Sequence, residues 1–135
     1  MKKIILSLMV VLMALGAVIT MSSCSPTAGL EEIDYEDIAN ANLAGTYTCT
    51  TKTIIYNSDG TTTSNSTEPT SLSGSSVKAA IALSKVSVDT IKAMSPKSSG
   101  RVCANANFTK IVTYVYTRNS EGNLIQEYIA TYIKN

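Results

Sequence analysis

Two four-residue turns constrain the fold of this chain more than any other feature of its sequence. Residues 57–60 read Asn-Ser-Asp-Gly, and residues 119–122 read Asn-Ser-Glu-Gly. In such a segment the glycine supplies the positive φ that closes a three-residue hairpin loop. The residues on both sides of each turn are rich in Thr, Ile, Val and Tyr, which favour strands. The sequence therefore predicts two antiparallel hairpins.

The register of the second hairpin follows from its loop. We expect strands over 44–56 and 61–63 around the first turn, and over 108–118 and 124–133 around the second. With Ser120–Gly122 as the loop, Asn119 pairs with Asn123, so even-numbered residues face even-numbered ones. One face, which we predict to pack on the core, then gathers Ile111, Val115, Ile125, Ile129 and Ile133. The other gathers Val112, Tyr114, Tyr116, Tyr128 and Tyr132.

The segment 77–94 has the periodicity of an amphipathic helix. Its apolar stripe consists of Val77, Ala80, Ile81, Ser84, Val88 and Ile91, while three lysines lie off it. Ser76 is placed to cap its start, and Pro96 stops the helix soon after Met94. This stripe is typical of a helix that covers a sheet.

Together these elements predict an α+β domain over residues 44–135. We expect a small antiparallel sheet of two hairpins with one packed helix. A small lipocalin-like β-barrel is the alternative, because residues 43–47 (Leu-Ala-Gly-Thr-Tyr) resemble the Gly-x-Trp start of lipocalin-type barrels, with Tyr in place of Trp.

The first 24 residues have the pattern of an export signal. Lys2 and Lys3 precede an apolar run over 4–19, and Met-Ser-Ser-Cys ends the segment at Cys24. This order resembles the signal peptide and lipobox of bacterial lipoprotein precursors. The resemblance implies cleavage after residue 23, acylation of Cys24 and attachment to membrane lipid. Ser25 follows the cysteine where an inner-membrane retention signal would have Asp, so the resemblance implies the outer membrane.

Two other interpretations of this segment are a retained transmembrane helix and a secretory signal without lipid. The run from Ile4 to Met21 is close to the length of about 20 residues that crosses a bilayer. Small residues directly before a cysteine add nothing to a membrane span, and they favour the lipoprotein interpretation. Several acyl chains on one cysteine would anchor the protein firmly.

Residues 24–43 are expected to form a spacer between the lipid and the domain. Five acidic residues lie between Glu31 and Asp37. A solvated acidic spacer explains them, and a divalent-cation site is the alternative, although their spacing matches no Ca²⁺ loop. Loss of Lys2 and Lys3 leaves nine basic and ten acidic residues, which gives no electrostatic reason to expect a nucleic-acid partner.

The two remaining cysteines, Cys49 and Cys103, are candidates for a disulfide, because an exported domain folds in an oxidising compartment. Two separate buried thiols are the alternative. The chain has no His and no Cys-x-x-Cys pair, so we expect no zinc site and no other metal or cofactor.

The lack of His also removes the usual general base. Few carboxylates follow the acidic segment, and no glycine-rich phosphate loop is present. We therefore expect no enzyme. The expected role is that of a lipid-anchored outer-membrane lipoprotein with a structural, surface or antigenic function. A small ligand-binding or inhibitor module in the periplasm or on the cell surface is the alternative, and the sequence identifies no protein partner.

Overall fold

The computed structural model describes residues 29–135 as an antiparallel sheet with helices packed on it. The seven strands are β1 (Glu31–Ile33), β2 (Thr46–Tyr56), β3 (Thr62–Ser66), β4 (Thr70–Ser73), β5 (Ser99–Ala104), β6 (Lys110–Arg118) and β7 (Leu124–Lys134). The two helices within this range are α1 (Tyr35–Asn40) and α2 (Gly74–Met94). This architecture is compatible with the predicted α+β class.

The sheet is open. Its strand order is β1-β5-β6-β7-β2-β3, and β4 pairs with β2 beside β3. Between β3 and β4 stands Pro69, which has no N–H to donate to a ladder, so two short strands share one edge of β2. Within the described residues the sheet does not close on itself. The predicted lipocalin-like barrel is therefore wrong for this part of the chain.

The long helix α2 is the predicted helix with one extra turn at its start. The side chain of Ser73, rather than Ser76, caps it by accepting a 3.2 Å hydrogen bond from the Ser76 backbone N–H. Val77, Ile81 and Val88 are the apolar side chains that this helix buries. The helix ends at Met94, two residues before Pro96.

One apolar cluster holds the helices on the sheet. Its members are Ile38, Leu43, Tyr47, Val77, Ile81, Val102, Ala104, Ile111, Ala130 and Tyr132. We call the sheet face that carries Val102, Ile111, Ala130 and Tyr132 the helix face, and the other side the opposite face. Ile38 comes from α1, within the segment predicted to be a spacer, and is 1% exposed. Because Glu32–Asn135 forms one compact unit, the domain begins earlier than the predicted boundary at residue 44.

The two Asn-Ser-acid-Gly turns have the same geometry. Asn57 and Asn119 each donate a backbone hydrogen bond across the loop, and each accepts one from the turn glycine. Gly60 and Gly122 have φ values of 89° and 90°, as predicted for this loop type.

The predicted register of β6 and β7 is wrong beyond the turn. Arg118 pairs with Leu124 as expected, but a bulge between Thr117 and Arg118 shifts every later pair by one residue. Ile111 therefore pairs with Tyr132, and Val115 with Tyr128. The predicted separation into an aliphatic face and a tyrosine face does not occur, because a one-residue shift moves all of β7 to the other side. Ile125 and Ile133, predicted to be in the core, are 39% and 48% exposed.

Candidate functional site

An open cleft of about 400 Å³ lies between α2 and the helix face of the sheet. Its apolar lining consists of Leu83, Ile91, Val115, Tyr128, Ala130 and Tyr132. Leu83 and Tyr128 are 66% and 37% exposed, so they mark the mouth. The volume falls within the range of small-molecule pockets, which are apolar concavities with few polar groups.

Small side chains on α2 leave this space open. Ala80, Ser84 and Ser87 follow one another at helical spacing on the flank of α2 that lines the cleft. Ala130 lies below them on β7. Large residues at these positions would close the helix onto the sheet. Val77 and Ile81 fill the space between the helix and the sheet. The smaller side chains of Ala80 and Ser84 leave that space open.

The polar groups of the cleft are uncharged. They belong to Ser84, Ser87, Thr113 and Gln126, together with the tyrosine hydroxyls. The Ser84 hydroxyl already has a polar neighbour within the protein. Burial raises the pKa of Tyr35, and the Ser84 hydroxyl beside it opposes that rise.

Burial shapes the acid–base properties around the cleft. It is the main cause that raises the pKa of Tyr132 above the ordinary tyrosine value, and the nearby Cys49 and Tyr128 add to the rise. Burial also raises the pKa of the Cys49 thiol, which keeps it in the unreactive protonated form. The site therefore presents neutral hydroxyls rather than charged groups.

The tyrosines predicted to share one face are divided between two. Tyr128 and Tyr132 line the cleft, whereas Tyr114 and Tyr116 lie on the opposite face. Two of the four thus contribute to the candidate site. The signal that sequence reasoning missed is the row Ala80, Ser84 and Ser87, where small residues interrupt an otherwise apolar helix stripe.

The predicted Cys49–Cys103 disulfide is wrong. Cys49 is a free, half-buried thiol. In the sheet, Cys49 lies on β2 and Cys103 on β5, with β6 and β7 between them, a separation of about 14 Å at ordinary strand spacing. The register also places them on opposite faces. A disulfide needs Cα atoms about 4.4–6.8 Å apart, so this fold cannot join them.

Cys24, the predicted lipidation site, lies outside the described residues, as do the predicted signal peptide 1–23 and the first residues of the spacer. Over residues 29–135, no three His, Cys, Asp or Glu side chains come together as a metal site. None of the helices in this same range is both long enough and apolar enough to cross a bilayer.

Comparisons with protein-family models, with curated proteins and with solved structures find no match to this chain. The functional argument therefore depends on the residues and on the geometry of the cleft.

Proposed function

We propose that this chain is a lipid-anchored outer-membrane lipoprotein whose domain binds a small, uncharged, mainly apolar molecule and catalyses no reaction. The cleft beneath α2 is the single observation that supports a binding role. Its size suits a small ligand, and none of its lining residues is charged. The two turn-linked strand pairs, β2–β3 and β6–β7, are in this proposal the frame on which the cleft is built.

The chemistry of the lining defines the proposed ligand. The apolar walls of the cleft are formed by Ile91, Val115 and Tyr132. A flat or branched hydrocarbon body gains free energy of binding when these walls remove it from water. Thr113 and Gln126 provide uncharged polar groups that can orient the ligand. A charged ligand would lose its hydration without meeting an opposite charge, so the site selects neutral molecules.

The binding role is tested with 1-naphthol, a neutral probe that has an aromatic body and one hydroxyl. The full chain, in detergent micelles, is titrated while the methyl resonances of Ala130 and Ile91 are followed by NMR. We expect saturable shifts at these two methyl groups. The methyl of Ala82, on the solvent side of α2, should stay in place.

A matched pair of variants separates the cleft from general partition into micelles. Ala80→Leu fills the cleft, and Ala82→Leu adds the same side chain on the exposed side of the helix. We expect Ala80→Leu to lose at least about tenfold in affinity, since it occupies the space of the probe. Equal affinity in the two variants, or no saturable shift in the parent chain, contradicts the binding role.

The anchor is tested separately. In the proposal, Cys24 receives the lipid and connects the domain to the outer membrane through its acyl chains. We expect Cys24→Ala to abolish labelling by a radiolabelled fatty acid and to leave the precursor uncleaved. Cys49→Ala is the control and should keep both. Label retained in Cys24→Ala places the anchor elsewhere.

A structural, surface or antigenic role is the second candidate. The edge formed by β3 favours it, because all five of its residues are exposed and uncharged. Such an edge presents a row of backbone groups that other chains can approach. Surface proteolysis of intact cells tests this role, which requires cleavage within residues 61–70 from outside the cell.

A further inference from the structure

The two edges of the sheet over residues 29–135 differ in length and in charge. At one edge β1 has three residues, and two of them, Glu31 and Glu32, are acidic. At the other edge β3 has five residues, all of them exposed and none of them charged. Short strands and charged side chains are two means by which proteins keep an edge strand from pairing with another chain. The edge at β1 has both, and the edge at β3 has neither.

Hydrogen bonds at the two ends of β3 show which of its backbone groups face β2. The Asn57 N–H donates to the Thr61 carbonyl oxygen at 2.8 Å, and the Thr67 N–H donates to the Thr51 carbonyl oxygen at 3.0 Å. The register between these two bonds is continuous. Hydrogen-bonded and non-hydrogen-bonded pairs alternate along an antiparallel ladder. The odd-numbered residues from 61 to 67 therefore direct their backbone groups towards β2.

The backbone groups of Thr62, Ser64 and Ser66 consequently point away from the sheet. Each of these residues carries one N–H and one carbonyl group, and in the described part of the chain no strand lies beyond β3 to pair with them. Three donors and three acceptors thus form a row in which successive residues are about 6.6 Å apart. An antiparallel strand placed along this edge would satisfy all six groups.

We propose that β3 pairs with β3 of a second copy of this chain, antiparallel about a two-fold axis at Ser64. Ser64 then lies opposite Ser64 of the second copy, and Thr62 lies opposite its Ser66. Each of the three pairs exchanges two hydrogen bonds, so the outward groups of one copy match those of the other. The proposal is independent of the cleft, because β3 contributes no residue to the cleft lining.

The side chains of β3 suit a second copy as the partner. On one face of the joined sheet the two-fold axis places hydroxyl groups opposite hydroxyl groups, since Thr62, Ser64 and Ser66 alternate with Thr63 and Asn65. On the other face it places Thr63 opposite Asn65. Hydroxyl pairs across antiparallel strands are stabilising, whereas like charges directly opposite are destabilising, and no charge occurs among these pairs.

The two-fold arrangement also limits the assembly to two chains. Pairing of β3 with β1 of another copy would repeat from chain to chain and give an open filament. The length and the charges of β1 disfavour that contact. Asp59 and Glu68 lie just outside the ends of β3, so a ladder longer than the strand would bring like charges together. Five paired residues form a small interface, and such interfaces associate weakly and reversibly.

The exchange of backbone amide hydrogens, followed by NMR, tests the pairing directly. The full chain in excess detergent micelles is measured from dilute solution up to about 1 mM. We expect the Ser64 amide to exchange at least about threefold more slowly at the highest concentration, because only the unpaired chain exchanges. An exchange rate of Ser64 that does not change with concentration overturns the proposal.

Ser71 on β4 is the internal control for this measurement. The Gly74 N–H donates to the Gly45 carbonyl oxygen, and the register of β4 on β2 then directs the Ser71 amide outward as well. Ser71 lies on the same side of β2 as Ser64 but outside the proposed pairing. Its exchange rate should be the same at every concentration. Equal slowing of Ser64 and Ser71 would indicate general aggregation and contradict the proposal.

A matched pair of proline variants separates the β3 edge from other surfaces. Ser64→Pro removes an outward N–H, which an edge strand tolerates, and Ser71→Pro removes the outward N–H of β4. In sedimentation velocity we expect the parent chain and Ser71→Pro to form dimers and Ser64→Pro to stay monomeric. Urea unfolding checks that both variants are folded. Ser64→Lys and Ser71→Lys form a second pair that keeps every backbone N–H, and Ser64→Lys places two like charges at the two-fold axis.

Other modes of association give different results. Dimers that persist in both Ser64→Pro and Ser64→Lys place the contact on another surface and contradict the proposal. Species that grow beyond the dimer with concentration indicate head-to-tail pairing and contradict the two-fold axis. A parent chain that sediments as a monomer up to the highest concentration also overturns the proposal.

Discussion

The two faces of the sheet use tyrosine differently. On the helix face, Tyr47 and Tyr132 are 1% and 4% exposed and belong to the apolar cluster beneath α2. On the opposite face, Tyr116 stacks on Tyr114 beside Arg101. Tyrosine thus packs in the apolar core on one face and makes a cation–π contact with an arginine on the other. An amphipathic ring suits both uses, and the difference lies in the neighbours that the strand register supplies.

The two faces also differ in charge. The helix face has an apolar cleft without charged lining residues, whereas the opposite face concentrates Arg101, Glu32 and Glu127 near tyrosines. The neutral ligand proposed above therefore belongs to the helix face. The contribution of each face to stability can be measured independently. Each face has a tyrosine or isoleucine whose substitution should not alter the packing of the other face.

The largest expected difference comes from truncating one tyrosine on each face. Tyr132→Ala should lower the free energy of unfolding by about 3–5 kcal/mol, since it leaves a cavity in the core. Tyr116→Ala, at a half-buried position, should cost less than about 2 kcal/mol. Urea unfolding of both variants measures the difference. A larger loss for Tyr116→Ala would reverse the assignment of the core to the helix face.

Removal of single hydroxyl groups should give a smaller difference in the same direction. The Tyr47 hydroxyl donates a 2.7 Å hydrogen bond to the Phe108 carbonyl oxygen, and Tyr47→Phe leaves that oxygen without its donor. We expect a loss of about 1–3 kcal/mol. Tyr56→Phe removes a bond to the Glu127 carboxylate, which water can replace, and should cost about 0.5–1 kcal/mol. Unfolding by urea compares the two, and equal losses would remove this distinction between the faces.

The register shift makes a third, smaller prediction. Ile133 is 48% exposed on the opposite face, so Ile133→Ala should cost less than about 1 kcal/mol. Had the residue packed in the core, as the unshifted register requires, the loss would be about 2–5 kcal/mol. The same urea measurements distinguish the two registers. Ile81→Ala, on the buried side of α2, is the positive control for a core loss.

Local elements of this fold could be predicted from the sequence, whereas the orientation of β7 could not. The helix follows from its apolar stripe, and both turns follow from their glycines, because these signals are local. The face of β7 does not follow, since both of its faces are apolar: Ile125, Ile129 and Ile133 alternate with Tyr128, Ala130 and Tyr132. The bulge between Thr117 and Arg118 determines which face of β7 packs against the helices, and no residue type in the turn predicts that bulge.

The sites depend on contacts between distant segments, and so they were less predictable. Tyr128 and Tyr132 were singled out from the sequence, but their partners across the cleft, Ala80 and Ser84, were predicted to be core. Arg101 lies in β5, over which the sequence predicted no strand. The Cys49–Cys103 bridge failed because cysteine count and compartment say nothing of sheet order. Pairing of β5 with β6 is the missing information in both cases.

The last and smallest effect concerns ionisation on the opposite face. Burial, followed by the charge of Glu127, raises the pKa of Tyr56 to about 12 from the ordinary value of 10.0. Because the folded-state pKa is the higher one, the stabilisation is fully present below pH 10 and declines as the pH rises towards 12. Glu127→Gln removes the second cause and keeps the first, so it should lower the Tyr56 pKa only part of the way to 10.0. Ultraviolet absorbance of the ionised tyrosine, with Tyr56→Phe used to assign the titration, measures both values. An unchanged Tyr56 pKa in Glu127→Gln would mean that burial alone sets it, and that the carboxylate does not act on this tyrosine as the 3.0 Å contact implies.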